Sequence, residues 1–137
     1  MNFNMYVPTR FVFGNGRLSE LHQQKLPGKK AMIAITNGKS VRENGALVRT
    51  EEQLKLAGIE TALFAQIGAN PTKAVIMDGS KFVRDNGCDF IVALGGGSVM
   101  DASKAIAMMA TNSGLFAANP SDMTHEDCVR IFEKSYR

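Results

Sequence analysis

Apolar residues in this chain come as short unbroken runs, and the stretches between them repeat at helical spacing. The clearest run is Phe90-Ile91-Val92-Ala93-Leu94. A strand that is apolar at every position has no solvent face, the pattern of a parallel sheet covered on both sides. Residues 89–94, 31–36 and 60–65 therefore read as strands. Residues 17–26 read as a short helix ended by Pro27-Gly28, and residues 45–57 as a helix closed by Gly58. Residues 72–86 form a third helix with Val75, Phe82 and Val83 inward, stopped by Gly87. Residues 99–111 form a fourth, with Ala102, Ala105, Ile106 and Met109 on one stripe. Ahead of these, residues 4–13 look like a short extended hairpin broken at Pro8, followed by a Gly14-Asn15-Gly16 turn. The alternation predicts an α/β fold, a parallel sheet with flanking helices, whose ligands sit beyond the carboxyl ends of the strands.

Composition narrows the possibilities. With 137 residues and 45% hydrophobic content, the chain can bury a core and counts naturally as one domain. The net charge of +3 is mild and Lys29-Lys30 is the only basic doublet, so neither nucleic acid nor a membrane is expected as a partner. No basic leader opens the sequence, no apolar run has the length of a membrane span, and a cytoplasmic protein is expected. Cys88 and Cys128 form no C-x-x-C pair, which suits a reducing compartment. His125 and Cys128 are spaced for one helix face, but with only His22 elsewhere they read as incidental rather than as metal ligands. Met5, Met32, Met77, Met100, Met108, Met109 and Met123 read as core filler.

The candidate chemistry lies at Gly95-Gly96-Gly97, between the most apolar strand and the last helix. Three residues without side chains let backbone N–H groups approach an anion, and a helix N-terminus adds partial positive charge, so a pyrophosphate fits there. The run differs from the G-x-G-x-x-G dinucleotide fingerprint, because Met100 stands where the third glycine belongs. A ligand-free reading also exists: Ser98 as helix N-cap with Asp101 three residues on.

Gly95-Gly96-Gly97-Ser98-x-x-Asp101-x-x-Lys104, preceded by Gly87-Cys88-Asp89-Phe90 and by Ala69-Asn70-Pro71-Thr72, resembles the N-terminal domain of the iron-containing (group III) alcohol dehydrogenases. Phe11-Val12-Phe13-Gly14-x-Gly16 and the strand closing on Thr36-Asn37 match in the same order. The resemblance runs through residues 1–114 and implies an NAD(P)-binding, Rossmann-like domain of the dehydroquinate-synthase-like type. Residues 115–137, with Asn119-Pro120-Ser121-Asp122-Met123-Thr124, resemble the family's closing helical segment, as though the intervening metal-binding domain were missing.

The resemblance implies oxidoreductase chemistry: hydride transfer between a nicotinamide dinucleotide, NADP or NAD, and a small alcohol or aldehyde, at iron or zinc in full-length members. It places Asn37, Gly38 and Lys39 near the adenosine ribose, Gly95 to Ser98 around the pyrophosphate, and Asp101 toward the nicotinamide; Asn70 and Pro71 converge on the same strand ends and count as cofactor-binding with them. Lys104 reads as a supporting residue. Family members favouring NAD commonly carry an aspartate where this chain has Asn37, so NADP is expected to bind at least as well as NAD. Asn37-Gly38 also has a plain reading as a turn dipeptide. Catalytic and metal-binding residues are not expected in this chain, and helices that would face a missing domain predict a homo-oligomer. The alternative reading is a non-catalytic nucleotide-binding or interaction module.

Overall fold

The computed structural model describes residues 9–110. Three parallel strands, β1 (Lys30–Thr36), β2 (Glu60–Ile67) and β3 (Phe90–Ala93), lie in the order β2-β1-β3. Between them run α1 (Ser40–Glu43), α2 (Ala46–Leu56) and α3 (Lys73–Asp85), and α4 (Gly97–Ala110) follows β3. A 3-10 helix, Arg17–Gln23, precedes the sheet.

The central strand organises both layers. Ala31 to Ile35 are all fully buried, with side chains alternating between two cores. Ala31, Ile33 and Ile35 pack with Val41 of α1 and with Leu47 and Leu54 of α2. Met32 and Ala34 pack on the other side with Phe64, Val83 of α3, and Val99, Ala102 and Ile106 of α4. Burying each large aliphatic side chain of β1 contributes about 1.5–3 kcal/mol. The β1-to-β2 connection thus crosses one face and the β2-to-β3 connection the other, and the loops after β1 and β3 leave toward opposite faces. That arrangement is a topological switch point, with a crevice between neighbouring strand ends.

Both long connecting helices end in the same way. Ile59 N–H bonds the Leu54 carbonyl at 2.9 Å and Gly58 N–H that of Lys55 at 3.0 Å; Cys88 and Gly87 repeat the pattern on Val83 and Arg84. Gly58 and Gly87 have φ of +73° and +62°, the left-handed position that glycine fills without strain.

Opposite the strand carboxyl ends, Asp89 clamps the start of the sheet. Its carboxylate oxygens accept the Lys29 and Lys30 N–H groups at 2.8 and 2.9 Å, and its own N–H bonds the Lys30 carbonyl at 2.9 Å. A side chain at Gly28 would collide with that carboxylate. The two backbone N–H donors hold the Asp89 carboxyl below the ordinary aspartate range. Because the folded state lowers this pKa, the clamp's contribution is fully present above about pH 4 and is lost as pH falls through the folded value. Asp89→Asn is therefore expected to flatten the acid side of a stability-versus-pH profile measured by urea unfolding; an unchanged slope would show that the clamp is not titrating.

Several elements differ from the sequence reading. Residues 9–13 form no strand, and Phe11 and Phe13 are 87% and 97% exposed. The rest of the expected hairpin lies outside the described residues, as do Thr111 at the end of the last helix and the division expected at residue 114. The helix at 17–26 is a 3-10 helix that stops at Gln23. Short α1 was not anticipated. Strand β2 continues to Ile67, where a register shift pairs Thr36 with Ile67 after Ala34 with Phe64. Of the described methionines, only Met32 is core; Met77, Met100, Met108 and Met109 are 41–49% exposed, on the outer sides of α3 and α4. No described helix is long and apolar enough to cross a membrane.

Candidate functional site

Three loops meet at the carboxyl edge of the sheet, and backbone hydrogen bonds fasten them together. Asn37 N–H bonds the Ile67 carbonyl at 3.0 Å, tying the end of β1 to the end of β2. Leu94 N–H bonds the Ala34 carbonyl at 2.9 Å, tying the β3 exit to β1. A Cβ at Gly68 would lie 3.8 Å from Asn37 Nδ2, so the β2 loop passes directly beside the asparagine side chain. Asn70 takes the left-handed conformation, with φ of 57°, and Pro71 follows it before Thr72 caps α3 by accepting the Val75 N–H. The register shift in β2 advances that loop by one residue relative to β1.

The three glycines of the third loop differ in why they are glycine. Gly95 is needed by the fold: a Cβ there would lie 2.7 Å from Cγ2 of fully buried Val99. Gly96 and Gly97 have no such reason. Neither has a positive φ, and a Cβ on either would meet nothing within 4 Å. Both face open space at the start of a 14-residue helix, and the absent side chains leave the backbone bare on that side. The Val99 and Met100 N–H groups turn back onto the Gly96 carbonyl at 3.1 and 3.2 Å. The preceding N–H groups, of Gly97 and Ser98, have no acceptor in the helix, as at any helix start, and the helix dipole adds positive potential there. An anion is the ligand this geometry suits. Ser98 already lies inside α4, so the N-cap role expected for it is not what starts the helix.

The remaining sequence-predicted residues flank this turn. Gly38 and Lys39 are exposed in the loop after β1, and Arg42 Nη1 donates to the Gly38 carbonyl at 3.3 Å. Asp101 sits one turn into α4 on its exposed side, with a carboxylate oxygen 3.9 Å from Lys104 Nζ. Both side chains are about three-quarters exposed, so this pair contributes about 0–1 kcal/mol. What the sequence did not reveal is the fastening through Asn37 N–H and the shifted register of β2, since neither depends on a distinctive side chain. Roomier clefts lie elsewhere: one of about 560 Å³ includes Val12, Phe13 and Leu18 against the 3-10 helix, and one of about 470 Å³ runs between Lys30, Glu51 and Lys55. Neither joins an α-helix N-terminus to bare backbone, so chemistry rather than volume selects the strand-end turn.

Fold and turn together define a doubly wound α/β domain with a Rossmann-like sheet order. The profile of the iron-containing alcohol dehydrogenases matches residues 8–132, and the chain belongs to that family. It is 37% identical over 109 residues to the NADPH-dependent aldehyde reductase YqhD of Escherichia coli (strain K12), covering 80% of this chain and 27% of that protein. It is 37% identical over 114 residues to the 1,3-propanediol dehydrogenase of Klebsiella pneumoniae, covering 82% of this chain and 30% of that one. Among solved structures, an archaeal alcohol dehydrogenase from a Red Sea brine pool superposes with a TM-score of 0.73 at 37% identity, over 90% of this chain and 30% of that one. The chain thus spans less than a third of the length of these relatives. Structural neighbours of this kind establish the Rossmann-like fold.

The family name implies iron. Among the described residues no three or more His, Cys, Asp or Glu side chains are grouped to hold a metal ion, so residues 9–110 do not supply that site. The open cradle at Gly96 and Gly97, by contrast, fits a dinucleotide pyrophosphate.

Proposed function

We propose that this chain is the cofactor-binding part of an NAD(P)-dependent alcohol dehydrogenase, and that it binds the dinucleotide pyrophosphate on the turn from Gly95 to Ser98. The observation that carries the proposal is the pair Gly96 and Gly97, bare where neither packing nor backbone conformation asks for glycine. When bound, the nicotinamide exchanges a hydride with an alcohol or aldehyde carbon. This chain's residues bind and orient: Gly96, Gly97 and Ser98 N–H groups take the phosphate oxygens, Asn37 and Gly38 the adenosine ribose, and Asn70 and Pro71 wall the crevice beside them. Asp101 lies toward the nicotinamide end, with Lys104 as its partner. A small alcohol or aldehyde as substrate is supported by the names of the relatives, which include an aldehyde reductase and a 1,3-propanediol dehydrogenase. A cytoplasmic setting and a reducing compartment suit the free Cys88. Calorimetric titration of the full chain with NADP and NAD tests the reading; saturable binding of one to one supports it, and no heat at millimolar cofactor contradicts it.

Cofactor preference follows from position 37. An amide bonds ribose hydroxyls without repelling a 2′-phosphate, and Lys39 and Arg42 put positive charge nearby. The relatives include NADPH-dependent and NADH-dependent enzymes, so the preference rests on these residues. Asn37→Asp is expected to shift the NADP-to-NAD affinity ratio about tenfold toward NAD, the scale of one charged hydrogen bond. An unchanged ratio would remove Asn37 from the site.

Self-association belongs to the same proposal. Exposed Phe11 and Phe13 and the outer methionines of α4 leave apolar surface that association would cover. Light scattering after size exclusion is expected to give a dimer or larger species; a monomer at tens of micromolar contradicts it.

A further inference from the structure

A second feature of α4 lies at its far end, away from the glycine turn. There a cleft of about 230 Å³ opens between α3, β3 and α4, lined by Val83, Cys88, Phe90, Ile91, Ala107 and Ala110. It is smaller than the ~300–1,000 Å³ of small-molecule sites, and suits a single large side chain. Ala110, one of its walls, is the last described residue, so the chain leaves from the rim of the cleft. The sequence beyond it brings Cys128, Phe132 and Tyr136 at four-residue intervals with Val129 beside them, one apolar stripe at helical spacing. Arg84 stands at the rim, donating to the Met109 carbonyl at 3.2 Å, and Glu133 follows Phe132 with the opposite charge.

We propose that the C-terminal segment of this chain, residues 121–136, docks on the α3–β3–α4 cleft and seats Phe132 in it. The connection can make the return. Residues 111–120 reach up to ~33 Å when extended, against ~21 Å for the whole of α4. Tethering also decides the occupant: a connection of ten residues gives the segment an effective concentration of about 1 mM, well above that of a second copy in micromolar solution. The docked segment covers Cys88, whose thiol is already pushed up by burial.

The test uses the full chain. A short bis-maleimide is expected to join Cys88 to Cys128 within one chain, because Cys128 stands four residues before the Phe132 seated beside Cys88. In a Cys128→Ser background, Phe132→Asp is expected to raise the alkylation rate of Cys88 about tenfold, the scale of withdrawing one buried aromatic side chain, while Phe132→Leu keeps it slow. Equal rates in all three proteins would overturn the proposal. So would a cross-link found only between chains, which would make a second copy the occupant.

Discussion

Replacing Gly79 with valine is expected to lower the melting temperature by about 10–20 °C. Gly79 is buried in α3, where the helix crosses α4, and a Cβ there would lie 2.5 Å from Cδ1 and 2.8 Å from Cγ1 of Ile106. Ile106 is fully buried and belongs to the same core as Phe64, whose ring a Gly79 Cβ would approach to 3.4 Å. The isoleucine thus has no free direction in which to retreat. Overpacking of this kind costs about 1–3 kcal/mol, and a domain of this size loses about 4–8 °C per kcal/mol. Better helix propensity returns only ~0.4 kcal/mol. Truncating the obstacle gives the control: Ile106→Ala alone leaves a cavity and costs about 2–5 kcal/mol, but combined with Gly79→Val the two losses should not add. Strictly additive losses in thermal unfolding would show that the two residues do not meet.

The second large effect separates two adjacent glycines by the way they fail. Gly96→Val should leave stability within ~0.5 kcal/mol, as for a surface position without neighbours, yet weaken dinucleotide binding by at least about tenfold, because the branched side chain fills the space where the phosphate approaches. Gly95→Ala should do the reverse in the first instance: its Cβ presses on buried Val99 and costs about 1–3 kcal/mol of stability. Parallel melting curves and calorimetric titrations of both variants check this. Equal loss of stability in both would return the whole run to a structural role and leave Gly96 without a ligand.

Much of the fold was legible because its signals are local. The apolar runs of β1 and β3 and the glycines that stop α2 and α3 act over a few residues, and the structure places them within a residue or two of expectation. Among the described residues, however, β3 lies at the sheet edge, only part-buried and with Ala93 exposed, rather than covered on both faces. The turn at Gly95 to Ser98 was legible for the same reason: strand, glycines and helix are contiguous. What escaped depends on partners far along the chain. At the start, residues 9–13 form no strand, and the other half of the expected hairpin lies outside the described residues. The extra residue of β2 is set by its pairing with β1, and the outward methionines of α3 and α4 by which stripe of each helix meets the sheet. In the site, Asn37 could be picked out by its place after a strand, but not the Ile67 carbonyl that holds its N–H. Nor could a sequence distinguish Gly95, which the fold requires, from Gly96 and Gly97, which it does not.

The bare turn at Gly96 and Gly97 is expected to receive a dinucleotide phosphate. The most direct measurement is a titration of the full chain with NADP followed through backbone amide chemical shifts. Saturable shifts centred on Gly95 through Val99, with a second group at Asn37 and Gly38, are the predicted result. Saturable binding whose shifts fall along α2, or saturating NADP with the Gly96 and Gly97 amides unmoved, would contradict it.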